Sequence, residues 1–261
     1  MPDHPTTPQG ELEPREEADA TAISPDGQWK LQYAEIASLA GGLAHEIRNP
    51  LSTIRLNLEL LDEELSDDGS PRDRRNRQKV QKVLRECSHL DQILDDFLQF
   101  ARAHAPRLEP AALNDVVREF LDFFAPQAAE HKVELSPHLA AHISPVRLDA
   151  RQFRQVLLNL SRNALQAMPN GGRLELLTYE RDGQVVLEII DNGCGMDERT
   201  RGRMWETFYS TKPGGSGLGL PTVRRIVEGH GGTMDCESTV GAGTKFRIRL
   251  PAPEASATPL S

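Results

Sequence analysis

A histidine stands within a helical pattern near the start of the chain, in the segment LAHEIRNPLS. At about 100° per residue, His45 projects about 200° away from Leu43, so its imidazole should lie outside the apolar stripe and face solvent. A neutral imidazole can attack phosphorus through one ring nitrogen while the other nitrogen keeps its proton. Most exposed helical histidines are only solvated side chains, and His45 becomes a candidate nucleophile because a phosphoryl donor site is predicted further along the chain.

Two polar neighbours could assist this imidazole. Glu46 follows His45 directly and could hold the remaining ring proton, which would fix the tautomer, or it could simply belong to the charged face of the helix. Asn49 lies one helical turn further along nearly the same face. Pro50 deletes the backbone hydrogen bond to Glu46 at a cost of about 3 kcal/mol, so the sequence tolerates a bend one turn from the histidine.

Three later segments together could hold a nucleotide. NLSRNALQAM places Asn159 and Asn163 on one face of a helix, and an amide oxygen can complete the ligand shell of a Mg²⁺ that also binds phosphate. The glycines of DNGCGM allow a tight turn that lets Asp191 point into a cavity and accept a hydrogen bond from an adenine amine. GGSGLGL leads into a helix, whose glycine-rich start attracts phosphate. Surface asparagines and a generic turn would explain the first two segments equally well if each stood alone.

The first of the elements that must position these residues is a pair of helices. Between Trp29 and Leu65, and again between Val80 and Ala101, apolar residues recur at spacings of three and four, and the segment SDDGSPRDRR interrupts them. This pattern predicts an antiparallel α-helical hairpin. Pairing two copies into a four-helix bundle would bury both stripes, although a docked partner could serve equally.

From about Pro106 the pattern changes to helices mixed with strands. NDVVREFLDFFAPQAAEH predicts a helix capped by Asn114, and RQFRQVLLNLSRNALQAM predicts a longer helix preceded by Asp149. Asp182 and Gly183 predict a hairpin turn. The whole predicts an α/β sandwich with helices on one face of a mostly antiparallel sheet. The strand-like runs are KVELS, ISPVRL, GRLELLTYE, QVVLEII, TMDCES and TKFRIRL.

Composition narrows the class of protein. The chain has 261 residues and a formal net charge of −9, which disfavours a nucleic-acid partner held by phosphate neutralisation. Three scattered cysteines favour a reducing compartment over a disulfide framework. No apolar run reaches the ~20 residues of a membrane span, and the start has no apolar signal core. We therefore expect a cytoplasmic protein.

Taken together, the motifs resemble those of sensor histidine kinases of two-component signalling, and more narrowly the cytosolic nitrogen-regulatory type. The likeness covers about residues 29–251. HEIRNPL matches the phosphoacceptor box, Asn159 and Asn163 the N box, DNGCGM the first glycine box, ETFYSTK the F box and GGSGLGL the second glycine box. The second domain would then have the ATP-binding fold shared with gyrase and the Hsp90 chaperones. The resemblance implies a dimerisation and phosphotransfer hairpin (29–105) and an ATP-binding catalytic domain (106–251). The lead (1–28) and the tail (252–261) have almost no large apolar side chains, so we expect both to be disordered.

The resemblance also assigns roles by position. His45 would be phosphorylated, Asn163 would bind Mg²⁺ while Asn159 supports the phosphates, and Asp191 would read adenine. The glycines would shape the pocket. The residues that the resemblance places around ATP are Asn159, Asn163, Asp191, Gly193, Gly195, Phe208, Lys212, Gly215, Gly217, Leu218 and Gly219.

A mobile lid over ATP is a further implication of the resemblance. It would span about 192–216, with Phe208 anchoring it and Lys212 near the phosphates. Some family members carry a lysine three positions after the second asparagine of the N box, where this chain has Gln166. The source of positive charge on the phosphates is therefore open between Lys212 and Arg162.

The implied reaction is ATP- and Mg²⁺-dependent autophosphorylation of His45 within a homodimer, followed by transfer to an aspartate of a separate response regulator receiver domain. The HExxN spacing further predicts that Glu46 and Asn49 support dephosphorylation of that receiver, with Asn49 orienting a water. The sequence shows no recognisable sensory module, so a bound partner, the helix start near Trp29 or a separate sensor protein could receive the stimulus.

Three other classes of protein fit less well. ATP hydrolases of the same fold place a glutamate where this chain has Asn159, and an amide cannot take the proton of an attacking water. Serine kinases of that fold are disfavoured by a histidine at the head of a helical hairpin. A scaffold with a vestigial nucleotide domain is disfavoured because the motifs are intact.

Overall fold

The computed structural model describes residues 46–65, 70–101, 105–212 and 215–252. The helix predicted from Trp29 is therefore seen only from residue 46 onward. None of the helices in the described residues combines the length and the apolar character needed to cross a bilayer. The predictions that lie outside the described residues concern the lead (1–28), the first part of the hairpin with His45 (29–45), Gly214 of the second glycine box, and the tail from residue 253 onward.

Two helices form the predicted antiparallel hairpin. Helix α1 spans 46–64 and helix α2 spans Pro71–Ala101. Leu51 of α1 is buried, as are Val80, Cys87 and Leu94 of α2. Ion pairs join the helices, and the residue numbers on α1 rise as those on α2 fall: Arg48 with Asp95, Arg55 with Asp91, and Asp62 with Arg77.

Helix α2 begins within the segment predicted to interrupt the two helices. Ser70 precedes its first turn, and the Ser70 hydroxyl donates to the Asp73 carboxylate at 2.7 Å while the Asp73 amide donates back to the hydroxyl at 3.3 Å. Pro71 occupies the first helical position, where its missing amide hydrogen costs nothing. This reciprocal cap starts the helix earlier than the apolar pattern indicated.

Much of the apolar stripe of the hairpin remains uncovered in the single chain. A side chain such as Leu90 is 51% exposed although it lies on the same stripe as buried Cys87 and Leu94. An α-helical pair alone cannot bury two opposite faces, so this surface needs a further layer. The other exposed members of the two stripes are Ile47, Ile54, Leu61 and Val83.

The second part of the chain is a two-layer α/β sandwich, as predicted. Its sheet has the order β2-β4-β5-β7-β6, in which β2 and β4 are parallel and all other neighbours are antiparallel. The turn between β4 and β5 has positive φ at Asp182 and Gly183, which confirms the predicted hairpin. The strands of this sheet are β2 (Val133–Leu139), β4 (Gly172–Arg181), β5 (Gln184–Asp191), β6 (Thr233–Thr239) and β7 (Gly243–Pro251).

A second, two-stranded sheet pairs β1 (Glu109–Ala111) with β3 (Val146–Leu148). The pattern analysis predicted β3 within ISPVRL but missed β1, because a strand of three residues that includes Pro110 carries no alternating pattern. Its pairing brings the start of the domain next to the strand that leads into the N-box helix.

Helices pack against the five-stranded sheet and enclose one core. The largest fully buried side chains come from helices and strands alike, for example Phe124, Phe153, Leu176 and Ile248. Since alternate residues of the strands point into this core, the strand pattern read from the sequence is confirmed. These helices are α3 (Leu113–Glu130), α4 (Ala150–Ala167) and α6 (Gly219–Gly229), whereas the short helix α5 (Glu198–Arg203) buries none of its residues.

The two predicted helix starts have different outcomes. Asp149 precedes α4, and its carboxylate accepts hydrogen bonds from the amides of Arg151 and Gln152, which agrees with its placement before the helix. The prediction that Asn114 caps α3 was wrong, because the helix begins one residue earlier. Asn114 is buried instead, where its amide donates to the carbonyl of Ala140 and its oxygen accepts from the Thr178 hydroxyl.

Candidate functional site

Helix α4 brings the two asparagines of the N box to the edge of the core. Asn159 is half-buried, and its amide nitrogen lies 3.4 Å from the carbonyl oxygen of Gly219, the first residue of α6. Asn163 is also half-buried and lies one turn further along the same face. The N box and the second glycine box therefore meet where α4 packs on α6. The opposite face of α4 is buried, as predicted, by Val156, Leu157, Leu160 and Ala164.

Asp191 ends strand β5 and is 6% exposed. One of its carboxylate oxygens accepts the amide hydrogen of Gly193 at 2.9 Å. Burial raises the pKa of Asp191, while the amides of Gly193 and Thr244 and the positive charge of Lys212 act in the opposite direction. The fold thus holds a buried carboxylate at the start of a glycine turn, and its two oxygens have more lone pairs than these two amides use.

The first glycine box runs through a space too tight for side chains. A Cβ added to Gly193 would lie 2.7 Å from the carbonyl oxygen of Ala167, at the end of α4. Gly195 has a φ of 65°, and a Cβ there would lie 2.0 Å from the carbonyl oxygen of Thr239. Cys194, between them, donates its amide hydrogen to the Ala167 carbonyl. The turn is therefore fixed between α4 and the β6–β7 connection.

The described part of the lid contains α5 and an aromatic contact. Met204 is 5% exposed, and the Trp205 ring meets the Phe246 ring edge-on with centroids 6.4 Å apart. Phe208, predicted to anchor the lid, is 66% exposed with a positive φ of 64°. The Phe208 side chain thus does not pack on the core in this structure, whereas Met204 and Trp205 do, and the anchoring role of Phe208 stays a prediction. Phe208 contributes through its backbone, which donates to the carbonyl of Gly217 at 3.1 Å.

The second glycine box turns the chain from the lid into helix α6. Gly217 has a φ of 67°, and Leu218 is fully buried. A Cβ on Gly219 would meet no atom within 4 Å, so the start of α6 borders open space. The amide of Gly215 donates to the carbonyl of Lys212 at 3.1 Å, which ties the start of this box to the preceding segment. This arrangement leaves room beside the first amides of α6, where an anion would be stabilised.

Lys212 reaches from the lid back to the N-box helix. Its ammonium group lies 2.7 Å from the side-chain oxygen of Gln166 and 3.4 Å from the carbonyl oxygen of Asn163. Burial lowers the pKa of Lys212, and the neighbouring side chains of Cys194 and Asp191 act in the opposite direction. Arg162, the other cation considered from the sequence, is exposed. The structure thus places the lid lysine, and not Arg162, in contact with the residues of the N box.

The phosphoacceptor segment is described only in part. Glu46 and Asn49 are exposed on α1, and Leu56 and Leu60 on the same side of the helix are 57% and 51% exposed. Since His45 lies outside the described residues, the roles predicted for Glu46 and Asn49 stay predictions.

A contact that the sequence gave no sign of joins the hairpin to the second domain. The hydroxyl of Ser216, in the second glycine box, lies 2.5 Å from a carboxylate oxygen of Asp96 on α2. The guanidinium of Arg225 donates to the carbonyl of Phe100 at 3.0 Å and lies over its ring. Neither Asp96 nor Arg225 belongs to a sequence motif, so only the fold identifies them.

Comparisons with known proteins agree with this division of the chain. Residues 36–106 match the His Kinase A (phospho-acceptor) domain. Residues 148–254 match the family of histidine kinase-, DNA gyrase B- and HSP90-like ATPases.

Curated relatives resemble most of this chain but are longer proteins. The signal transduction histidine-protein kinase AtoS of Escherichia coli is 31% identical over 84% of this chain, which spans 35% of AtoS. The sensor histidine kinase ZraS of Klebsiella oxytoca is 33% identical over 85% of this chain, which spans 47% of ZraS. Sporulation kinase E of Bacillus subtilis is 32% identical over 83% of this chain, which spans 28% of that kinase.

Solved structures share both parts of the fold. Full-length ShkA in complex with AMPPNP superimposes with a TM-score of 0.64 and 27% identity, over 82% of this chain and 45% of ShkA. The histidine kinase ThkA in complex with the response regulator protein TrrA superimposes with a TM-score of 0.63 over 90% of this chain and 68% of the other, and at 21% identity it supports the fold only. With a phosphoacceptor hairpin followed by an ATPase domain of this type, the chain belongs to the two-component sensor histidine kinases.

Proposed function

We propose that this chain uses ATP to phosphorylate His45 and then passes the phosphoryl group to an aspartate of a separate response regulator. The observation that carries the proposal is the meeting of the N box, both glycine boxes and Lys212 along the second half of α4. Asn159 contacts Gly219, Gly193 lies against the last turn of α4, and Lys212 contacts Gln166. Sequence segments that are far apart thus lie together beside α4, and we call the proposed nucleotide site between them the cleft.

The residues around this cleft fit a nucleotide. Asp191 offers a buried carboxylate oxygen that would accept a hydrogen bond from the exocyclic amine of adenine. Gly193 and Gly195 lie where any side chain would collide with the protein backbone, so only glycine fits at these two positions of the turn. The amides that begin α6 at Gly219 would face the phosphates. ATP supplies the γ-phosphoryl group when it is bound.

Mg²⁺ would depend on the nucleotide for part of its ligand shell. The described residues hold no group of three or more His, Cys, Asp and Glu side chains that could bind a metal ion by themselves. Amide oxygens are hard, neutral ligands, and Mg²⁺ in nucleotide sites commonly keeps water and shares phosphate oxygens. We therefore assign Asn163 as the protein ligand, with Asn159 supporting the phosphates.

The protein's contribution to the transfer is mainly positioning. One ring nitrogen of His45 forms the bond to phosphorus while the bond to the leaving oxygen of the nucleotide breaks, and Glu46 holds the proton on the other ring nitrogen. Lys212 and the first amides of α6 offset the negative charge that remains on the phosphates. The contact between Ser216 and Asp96 has to open for the second domain to move along the hairpin toward His45.

Three further features belong to this proposal. The exposed stripes of the hairpin would be covered in a homodimer, which makes the four-helix bundle that the sequence predicts. A response regulator receiver domain is the partner, and a separate sensor protein or another bound partner supplies the stimulus. The cysteines are free thiols, which fits the expected cytoplasmic location. The nitrogen-regulatory subtype also stays a prediction.

Incubation with labelled ATP and Mg²⁺ tests the proposal directly. The chain should acquire an acid-labile, base-stable label that His45→Gln abolishes, because a phosphoramidate bond hydrolyses in acid. Asn159→Asp serves as a second variant that removes a pocket amide without touching the hairpin. ATP hydrolysis without label, or a label that persists in His45→Gln, would contradict the assignment.

Receiver turnover tests the second activity. Asn49→Ala should retain autophosphorylation but lose the ability to speed dephosphorylation of a phosphorylated receiver, because the amide would no longer orient the attacking water. A panel of receivers mixed with the labelled chain would identify the acceptor. Unchanged receiver turnover by Asn49→Ala would refute the role of this residue.

A further inference from the structure

We propose that Gln166 is a positioning residue that holds the lid lysine, Lys212, at the phosphate end of the cleft. The phosphate-neutralising charge then comes from the lid and not from helix α4. This inference rests on the proposed nucleotide site and deepens it, because it names the cation and the side chain that orients it.

The contact joins two parts of the site that are distant in sequence. The ammonium group of Lys212 donates to the side-chain oxygen of Gln166 at 2.7 Å and lies 3.4 Å from the carbonyl oxygen of Asn163. Both acceptors belong to the last turns of α4, and Asn163 is the residue assigned to Mg²⁺. The lysine therefore lies beside the expected position of the phosphates.

The lid backbone supports the same orientation. The amide of Lys212 donates to the Ser210 hydroxyl at 3.1 Å, and the carbonyl of Lys212 accepts from the Gly215 amide at 3.1 Å. The amide and the carbonyl of Lys212 are thus both held by hydrogen bonds. Because the backbone is fixed, the contact with Gln166 decides where the long side chain ends.

The chemistry of an amide suits this task better than that of a charged residue. A glutamate at position 166 would pair with Lys212 and cancel the charge that the phosphates need. A lysine there would repel Lys212 while supplying a charge of its own. The neutral oxygen of Gln166 orients the ammonium group without neutralising it, and the C-terminal end of α4 adds a favourable field for a cation.

The ammonium group keeps capacity for a ligand. An ammonium has three donors, and among the described residues Gln166 and the Asn163 carbonyl take two of them. The third donor is available to a phosphate oxygen. Half-burial also strengthens an interaction between this cation and a phosphate, since screening by water is reduced.

A double-mutant cycle on nucleotide affinity tests the inference. The variants are made in the full chain carrying His45→Gln, so that no phosphoryl transfer disturbs the titration. Lys212→Gln should weaken ATP binding about ten-fold, the size of a lost hydrogen bond to a charged group. Gln166→Ala should weaken it about three-fold alone and have no effect in the presence of Lys212→Gln, since its role acts through the lysine.

Moving the charge provides a rescue that a merely structural residue would not give. Gln166→Lys combined with Lys212→Gln should return ATP affinity to within about three-fold of the parent, because the cation then comes from α4. Gln166→Glu should weaken ATP binding although the contact with Lys212 is kept. Arg162→Gln is the matched control on the same helix and should leave ATP affinity unchanged. Gln166 is exposed, and thermal unfolding should be the same for its variants.

The outcomes separate this inference from the proposed function. A parent chain that binds no nucleotide would overturn the proposed function itself. If the parent binds ATP and the chain with His45 is phosphorylated, the proposed function stands. The present inference is then overturned if Gln166→Ala leaves ATP affinity unchanged, or if it still weakens ATP binding when Lys212→Gln is also present. The inference is also overturned if Gln166→Lys combined with Lys212→Gln does not recover ATP affinity. A loss of ATP binding in Arg162→Gln without a loss in Lys212→Gln would overturn it as well.

Discussion

Asp191 is an acid that the fold makes harder to ionise. Its carboxyl group is 6% exposed, and the amide of Gly193 supplies one of its hydrogen bonds. Burial raises its pKa, opposed by that amide, by Thr244 and by Lys212. A bound adenine amine would add a donor to the charged form, so ligand binding and ionisation of this residue should be linked.

Replacing Asp191 by asparagine should weaken ATP binding by about ten- to a hundred-fold, the range for loss of a hydrogen bond to a charged group. The asparagine oxygen would keep the bond from the Gly193 amide, which leaves an amide donor facing the donor of adenine. Isothermal titration calorimetry measures the affinity, and thermal unfolding serves as the control for the fold. A change of less than two-fold in affinity would exclude the adenine-reading role.

The same linkage fixes the direction of a pH effect. Because the pKa of Asp191 is raised in the folded chain, the folded state without ligand gains stability from protonation, and that gain is lost as the pH rises through the raised pKa. Nucleotide binding has the opposite sign, since it needs the ionised acid. ATP affinity of the parent should therefore fall on acidification, beginning at a higher pH than an ordinary aspartate would give, and Asp191→Asn should lack this phase.

The candidate residues of the cleft could largely be predicted from the sequence, because glycines, asparagines and an aspartate at these spacings are typical of few other kinds of site. Side-chain direction was not. The segment WETFY offers three aromatic rings, and the structure buries Trp205 partly against Phe246 while the positive φ of Phe208 turns that ring outward. Which ring packs on the core depends on the path of the backbone, and no spacing rule specifies that path.

At the scale of elements, helix α4 is held at its first turn by a polar cluster. The Asp149 carboxylate accepts from the amides of Arg151 and Gln152, and the Asp149 amide donates to the buried ring of His230 at 2.9 Å. His230 lies at the end of α6, and its other ring nitrogen lies 2.7 Å from the Ile226 carbonyl. The helices that carry the N box and follow the second glycine box are therefore joined at the end away from the cleft.

Asp149→Ala should destabilise the second domain by about 1 kcal/mol, the usual cost of losing a helix N-cap. Burial acts to raise the pKa of Asp149, but the amides of Gln152, Arg107 and Arg151 outweigh it and the pKa is lowered. Its contribution is thus present above the unfolded pKa and is lost as the pH falls through the lowered one.

Urea unfolding of the parent, Asp149→Ala and Asp149→Asn measures this effect. Asparagine is also a good N-cap, so Asp149→Asn should stay close to the parent at neutral pH. Equal stability of the alanine variant and the parent would show that the cap adds nothing to the fold.

Element types were predictable because the core imposes period-two strands and amphipathic helices on the sequence. Element ends were less so. The start of α2 depends on a cap between Ser70 and Asp73, and the side chain of Asn114 bonds to Ala140 and Thr178 in place of its own helix. Such ends are decided by contacts between elements, which a pattern along one element does not contain.

At the scale of the whole molecule, the hairpin leaves one surface to be covered. Val83 and Leu90 are 45% and 51% exposed and lie on the stripe that continues through buried Cys87. Leu90→Glu should turn the proposed dimer into a monomer, because a charge would have to be buried in an apolar bundle. Light scattering after size-exclusion chromatography gives the mass. Arg85→Glu is the control on another face, and a dimeric Leu90→Glu would show that this stripe is not the interface.

The contact between Ser216 and Asp96 couples the hairpin to the glycine box. Asp96→Ala should increase the initial rate of His45 phosphorylation by about five-fold, the equivalent of one ordinary hydrogen bond, because the contact that holds the second domain on α2 would be lost. Filter-bound label at early times measures the rate. Ser88→Ala, a change on α2 outside this contact, is the control, and an unchanged or slower Asp96→Ala would mean that the contact does not restrain the domain.

The position of β7 in the sheet has a consequence for biosynthesis. Strand β7 lies between β5 and β6, so the edge strand β6 has no neighbour in the sheet until residues 243–251 have been made. The hairpin needs only contacts between neighbouring helices and can form as soon as α2 leaves the ribosome. Translation order therefore favours folding of the hairpin while the ATP-binding domain is still incomplete. Two subunits of the proposed dimer would associate before either of them is able to bind ATP.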